Sequence, residues 1–136
     1  MTQLESFNVA SGRTVAATNA AVASVCAFLV GGVDASFEVF MNVLVTTSTT
    51  HTFTCECAYT DEGNTSRTVT MPFRLVGDTT ALTSSIAASA TVPYNGVSVF
   101  IRAKAGTTIT LRTQAAGTYT TVVYNVEGFI RKLAAW

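Results

Sequence analysis

The stretch Thr52-Phe53-Thr54-Cys55-Glu56-Cys57-Ala58-Tyr59 decides the fold class. Its odd-numbered positions are all apolar, and its even-numbered positions are mostly polar. Because successive side chains of a β-strand point to opposite faces, this alternation predicts a strand with one buried face. Cys55 and Cys57 fall on that face, where we expect them to pack as small, reduced hydrophobic residues.

The same alternation recurs on both sides of this stretch. It is found over residues 37–43, 68–73, 97–104 and 108–113, and a longer strand is predicted over about 119–133. Val and Thr are frequent throughout, and their β-branched side chains favour a pleated sheet over a helix. We expect Gly128 to bend the last strand or to mark a bulge in it. The Ala-rich run 15–27 is the nearest helix candidate, but it lacks a continuous polar stripe, so a short strand or an arm stays open.

Turn-forming residues separate the predicted strands. They lie at 61–64, 93–96, 105–106 and 116–117, and the first of these is expected to be a hairpin loop. Eight or nine short strands at this spacing predict an all-β, single-domain sandwich or barrel. The predicted register points one set of side chains inward, namely Phe37, Val39, Met41, Phe53, Cys55, Cys57, Val69, Met71, Val99, Ile101, Ile109 and Leu111.

The charge balance excludes some classes of protein and favours assembly. The 136 residues carry 8 Lys and Arg and 8 Asp and Glu, and charged residues make up only 12% of the chain. Hydrophobic residues make up 49%, which excludes wholesale disorder. Without a basic excess, nucleic acid is not an expected partner. A neutral, sparsely charged monomer has little repulsion to keep copies apart, which favours self-association.

We expect neither a secretory signal in the first residues nor a membrane span in the chain. No Lys or Arg precedes Arg13, and the apolar run 20–30 is too short to cross a bilayer. Residues 1–19 contain few large apolar side chains, which predicts an extended N-terminal arm over 1–19 followed by a sandwich domain over 20–136. The side chains expected to anchor this arm to a neighbour are Leu4, Phe7, Val9 and Val15.

Residues that could carry catalysis are few. His51 is the only histidine, and it lies in a Thr-rich string with no nucleophile motif around any serine. Asp61 and Glu62 are explained by turn geometry, whereas Glu38 and Glu56 would meet only if their strands are neighbours. We therefore expect no enzymatic activity and no cofactor.

Metal and ligand sites have similarly weak support. The three cysteines do not have the spacing of a zinc site, and Gly31-Gly32 lacks the Lys and Ser/Thr of a phosphate loop. We therefore expect no metal ion. Aromatic residues could form a sugar-stacking surface, although in strands they more often pack in the core, and they are Tyr59, Tyr94, Tyr119, Tyr124 and Trp136.

Three stretches resemble a known family of proteins. They are residues 59–68, residues 93–96 together with 101–110, and residues 119–127. The stretches look like small trimeric jelly-roll proteins of tailed bacteriophages, the fibre heads and capsid decoration proteins, and more distantly like the tumour-necrosis-factor-like fold. The resemblance covers roughly residues 35–133, and its motifs are turn and strand signatures.

The resemblance implies a jelly-roll sandwich, a homotrimer and a place on the virion after synthesis in the host cytoplasm. In one role the protein is a decoration (cement) protein that binds the major capsid protein on the outer surface of the head and stabilises it. Leu4, Phe7, Val9 and Val15 would then be capsid contacts. In the alternative role it is a fibre or receptor-binding module for a host surface glycan. The short chain favours decoration, since neither heptads nor Gly-X-Y repeats supply a fibre shaft.

Overall fold

Eleven β-strands account for the regular structure of the part of the chain described by the computed structural model, residues 8–19, 22–47, 52–75, 82–87, 93–114 and 119–135. The strands are β1 (Asn8–Asn19), β2 (Val22–Leu29), β3 (Ala35–Thr47), β4 (Thr52–Thr60), β5 (Ser66–Thr70), β6 (Phe73–Leu75), β7 (Ile86–Ala87), β8 (Pro93–Gly96), β9 (Val99–Ala103), β10 (Thr108–Gln114) and β11 (Tyr119–Ala135). No helix in the described ranges is long and apolar enough to cross a membrane.

The strands form two antiparallel sheets. The six-stranded sheet has the order β1-β11-β3-β8-β6, with β9 also paired to β3. The five-stranded sheet has the order β2-β10-β4-β5, with β7 paired to β4. The strand pairs are nested, because β1 pairs with β11, β2 with β10, β3 with β9 and β4 with β5. Nested pairs that alternate between two sheets are the pattern of a jelly roll, so the predicted fold class is confirmed.

The core fills the space between the two sheets. Along β3, buried residues alternate with exposed or partly exposed residues over most of the strand, as the period of two requires. Ten of the twelve side chains predicted to point inward are buried, whereas Val69 and Val99 are partly buried. The ring of Phe53 on β4 stacks on Tyr124 of β11, with the ring centroids 4.6 Å apart. This contact joins the two sheets directly.

Two glycines let the sheets approach each other near β1. Gly12 on β1 lies opposite Gly128 on β11. A Cβ atom on Gly12 would lie 2.1 Å from the carbonyl oxygen of Val25 on β2, and one on Gly128 would lie 3.0 Å from Cδ1 of Leu111. Gly128 lies in regular register with both neighbouring strands, so it marks a close approach rather than the expected bulge.

Two segments differ from the sequence prediction. Residues 8–19, predicted as part of an arm over 1–19, form β1, the edge strand of the six-stranded sheet, and pair with β11. Residues 1–7 lie outside the described ranges. Residues 93–96, predicted as a turn, form β8, which pairs with β3 and β6. In both segments, tertiary strand pairing overrides the local composition.

Candidate interaction surface

The outer face of the six-stranded sheet carries an unusual group of aromatic side chains. Phe40 on β3 and Phe129 on β11 are cross-strand partners. Their rings stack with centroids 4.7 Å apart and planes 17° from parallel, and both are partly exposed. Phe100 on β9 lies opposite Glu38, one diagonal step from Phe40, and is 67% exposed. We call Phe40, Phe100 and Phe129 the aromatic patch.

An ion pair borders the aromatic patch. Arg131 on β11 and Glu38 on β3 are cross-strand partners, and Nη1 of Arg131 lies 3.0 Å from Oε1 of Glu38. Both side chains are partly buried. The pair fixes two long side chains beside the patch, so the aromatic rings sit on a surface that is already ordered.

The other half of this sheet face is polar. Asn42 on β3 donates a hydrogen bond from Nδ2 to Oε1 of Glu127 on β11, at 2.9 Å. The backbone N–H of Gly96 on β8 donates to Oδ1 of Asn42, at 2.7 Å. The Asn42 amide is therefore held between two neighbouring strands, and it fixes the Glu127 carboxylate in turn.

Two shallow hollows lie beside Glu127. They have volumes of about 160 Å³ and 260 Å³, and Arg13 and Glu127 line both of them. Phe129 lines the larger hollow, which connects this half of the face to the aromatic patch. We call the polar part of this surface the polar groove, defined by Arg13, Asn42, Asn95, Asn125 and Glu127.

The four predicted contact residues of the N-terminal segment have different environments. Leu4 and Phe7 lie outside the described ranges. Val9 is partly buried and packs against the core, because β1 is a strand of the sheet. Val15 is 60% exposed and keeps a position at which it could touch another protein.

The carboxylates considered for catalysis lie in separate places. Glu38 is on β3 and Glu56 is on β4, so the two belong to different sheets, and the condition for their meeting is not fulfilled. Oε2 of Glu56 lies 3.0 Å from Nε of Arg112. Each of the two carboxylates therefore pairs with an arginine on a neighbouring strand of its own sheet.

Asp61 organises the hairpin between β4 and β5, as the predicted loop at 61–64 requires. The Thr65 backbone N–H donates to Oδ1 of Asp61 at 2.9 Å, and Arg67 Nε donates to Oδ2 at 2.6 Å. These hydrogen bonds hold the pKa of the Asp61 carboxyl below its usual value. Asn64 has a φ of 66°, a left-handed conformation that Asn tolerates in turns. Glu62 forms an ion pair with Arg102 of β9.

The cysteines are packing residues in the described structure. All three are free thiols, and Cys55 and Cys57 are buried. Burial raises the pKa of the Cys26 thiol to about 11 and that of Cys57 to about 12, and burial also raises the pKa of Cys55. The thiols therefore stay protonated at neutral pH, which is the unreactive form. Within the described ranges, no group of three or more His, Cys, Asp and Glu residues could hold a metal ion.

Of the aromatic residues singled out from the sequence, the three whose side chains the structure describes are not part of the aromatic patch. Tyr94 and Tyr124 are buried and Tyr59 is partly buried. Trp136 and the side chain of Tyr119, like His51, lie outside what the structure describes. The aromatic patch instead consists of phenylalanines at outward positions. The signal for it was Phe100, the residue that makes the second face of its strand partly apolar.

No family model matches the chain, and no curated protein matches it. The crystal structure of murine APRIL at pH 8.5 is similar, at 14% identity and a TM-score of 0.45, over 90% of this chain and 98% of that chain. The CBM22-1-GH10 modules of Clostridium thermocellum xylanase 10B, complexed with xylohexaose, are similar at 15% identity and a TM-score of 0.37, over 88% of this chain and 21% of that chain. The jelly-roll assignment itself follows from the strand pairing.

Proposed function

We propose that this protein is a structural component of a bacteriophage virion, a homotrimeric decoration protein that binds the outer surface of the head and stabilises it. The aromatic patch is the observation that carries the self-association in this proposal. It offers a surface on which copies of the chain can associate, and the role it supports is binding rather than catalysis.

The aromatic patch has the properties of a protein–protein interface. Soluble monomers rarely group large apolar side chains on their surface, and aromatic residues are enriched at the centres of interfaces. The stacked pair of Phe40 and Phe129 is pre-ordered, so little side-chain entropy is lost when a partner covers it. The zero net charge of the chain adds no repulsion between copies.

The trimer and the virion come from the family resemblance. The three resembling stretches include the hairpin of β4 and β5, the connection between β9 and β10, and the first part of β11. The proposed partners are two further copies of the chain and the major capsid protein. The exposed side chain of Val15 and the preceding residues Leu4 and Phe7 are the proposed capsid contacts. Synthesis in the host cytoplasm fits three reduced cysteines.

Light scattering coupled to gel filtration tests the self-association. The wild-type protein is expected to have three times the mass of one chain. Phe100→Ser is expected to have the mass of a single chain. Leu29→Ser is the matched control, because Leu29 is 65% exposed but lies on β2 in the other sheet. A monomeric wild type, or a Phe100→Ser variant that stays trimeric, contradicts the assignment of the patch.

Binding to undecorated heads tests the virion role. Purified trimers are mixed with capsids that lack the protein, and occupancy is measured by electron cryomicroscopy. Val15→Asp is expected to lower occupancy without changing the oligomeric mass. Trimers that leave capsids bare under all conditions contradict the decoration role.

A further inference from the structure

The polar groove has no role in the proposed assembly, yet its side chains are arranged like those of a binding site. Its five polar residues project from four neighbouring strands of one sheet, β1, β11, β3 and β8. Strands hold side chains more rigidly than loops do, so this arrangement is in place before any ligand arrives.

The hydrogen bonds in the groove show that part of it is pre-organised. Asn42 is fixed by Gly96 and Glu127, at 2.7 Å and 2.9 Å. Glu127 is thereby drawn towards β3, although Arg13 lies directly opposite it on β1. Within the described ranges Arg13 makes no ion pair, and the residue is exposed and lines both hollows. The groove therefore has donors and acceptors in fixed places and an arginine that a ligand can engage.

The chemistry of the lining selects one class of ligand. Planar amide, carboxylate and guanidinium groups can each bond two neighbouring hydroxyl groups. The carboxylate of Glu127 disfavours phosphate or other strongly anionic ligands, while the polar lining disfavours a purely apolar one. Pro93 and Leu44 supply apolar walls against which a sugar ring can lie.

We propose that the polar groove binds a short saccharide through the vicinal hydroxyl groups of its sugar rings. Arg13 and Glu127 are shared by both hollows, so they contact the ligand at the junction of two sugar units. This function goes beyond decoration, since a particle that carries the protein would also present a sugar-binding surface.

A glycan array tests the proposal with the assembled wild-type protein. The array carries bacterial surface polysaccharides together with plant and animal oligosaccharides, and the strongest binder is titrated by calorimetry. Glu127→Gln keeps the shape of the side chain and removes its charge, and Arg13→Ala removes the guanidinium. Each variant is expected to weaken binding about tenfold or more, as the loss of a charge-assisted hydrogen bond does.

The controls separate this proposal from the decoration role and from misfolding. Arg67→Ala removes an exposed arginine on the β4–β5 hairpin and is expected to leave affinity unchanged. Glu127→Gln and Arg13→Ala are expected to decorate capsids as the wild type does. The proposal is overturned if the wild type binds no glycan on the array. It is also overturned if both groove variants bind as the wild type does. The proposal is also overturned if monomeric Phe100→Ser binds glycan and the assembled wild type does not, because the assembly would then close the groove.

Discussion

At the residue scale, two glycines are important for packing because they have no side chain. Gly12 and Gly128 are cross-strand partners on β1 and β11, and Gly12 lies against the backbone of β2 at Val25. The obstacle next to Gly12 is the backbone carbonyl of Val25, which cannot rotate away as a side chain can. The residue therefore sets how closely the edge of one sheet can approach the other.

Replacing Gly12 should test this close approach. Gly12→Ala is expected to lower the free energy of unfolding by about 1–3 kcal/mol, the usual range for overpacking, because its Cβ would lie 2.1 Å from the Val25 oxygen. Gly32→Ala is the control, since no heavy atom beyond its own chain neighbours lies within 4 Å of the position that its new methyl group would occupy, and a change within about 0.5 kcal/mol is expected. Urea unfolding measures both. Equal stability of the two variants would show that β1 does not press against β2.

Single residues also explain what the sequence could and could not reveal. The alternating pattern around Cys55 and Cys57 identified buried positions because a period of two is a local property of the chain. Phe40 and Phe129 escaped notice as a pair because they are 89 positions apart and meet only through the β3–β11 register. The same holds for Asn42 and Glu127, whose hydrogen bond joins strands far apart in sequence.

At the element scale, β1 shows why a composition can mislead. Its inward side includes Ala10 and Gly12, and Val9 is its one large apolar residue that packs against the core, so its sequence lacks the run of large apolar residues that marks a core strand. The small residues suit a strand that lies close to β2, and the strand also pairs with the otherwise free edge of β11. Both reasons depend on distant parts of the chain, whereas the hairpin at 61–64 was predictable because its turn chemistry is local.

Truncation of the N-terminus should separate a strand from an arm. Deletion of residues 1–7 leaves β1 intact, and the thermal unfolding midpoint is expected to stay close to that of the wild type. Deletion of residues 1–19 removes β1 and leaves the β11 edge unpaired, so a large loss of stability and aggregation are expected. Differential scanning calorimetry and solubility measure the outcome. If the protein without residues 1–19 unfolds like the wild type, the segment is an arm as the sequence predicted and not a strand on which the fold depends.

At the scale of the whole molecule, the fold class was predictable and the surfaces were not. Strand count and spacing depend on local pattern, and they led to the sandwich that the nested pairing confirms. The aromatic patch and the polar groove are each assembled from strands that are not consecutive in sequence. Low charge indicated association from composition alone, but it could not indicate which face associates.

The proposed trimer makes a prediction about the stability of the whole molecule. If folding and assembly are coupled, mass action makes the unfolding midpoint rise with protein concentration, by about 2–4 °C for each tenfold increase in a chain of this size. Phe100→Ser, expected to be monomeric, should show a lower midpoint that does not change with concentration. Because the patch is apolar, added salt should not weaken the association, as it would weaken one held by exposed ion pairs. Calorimetry over a hundredfold concentration range measures these effects, and a concentration-independent wild-type midpoint would show that each chain is stable without its neighbours.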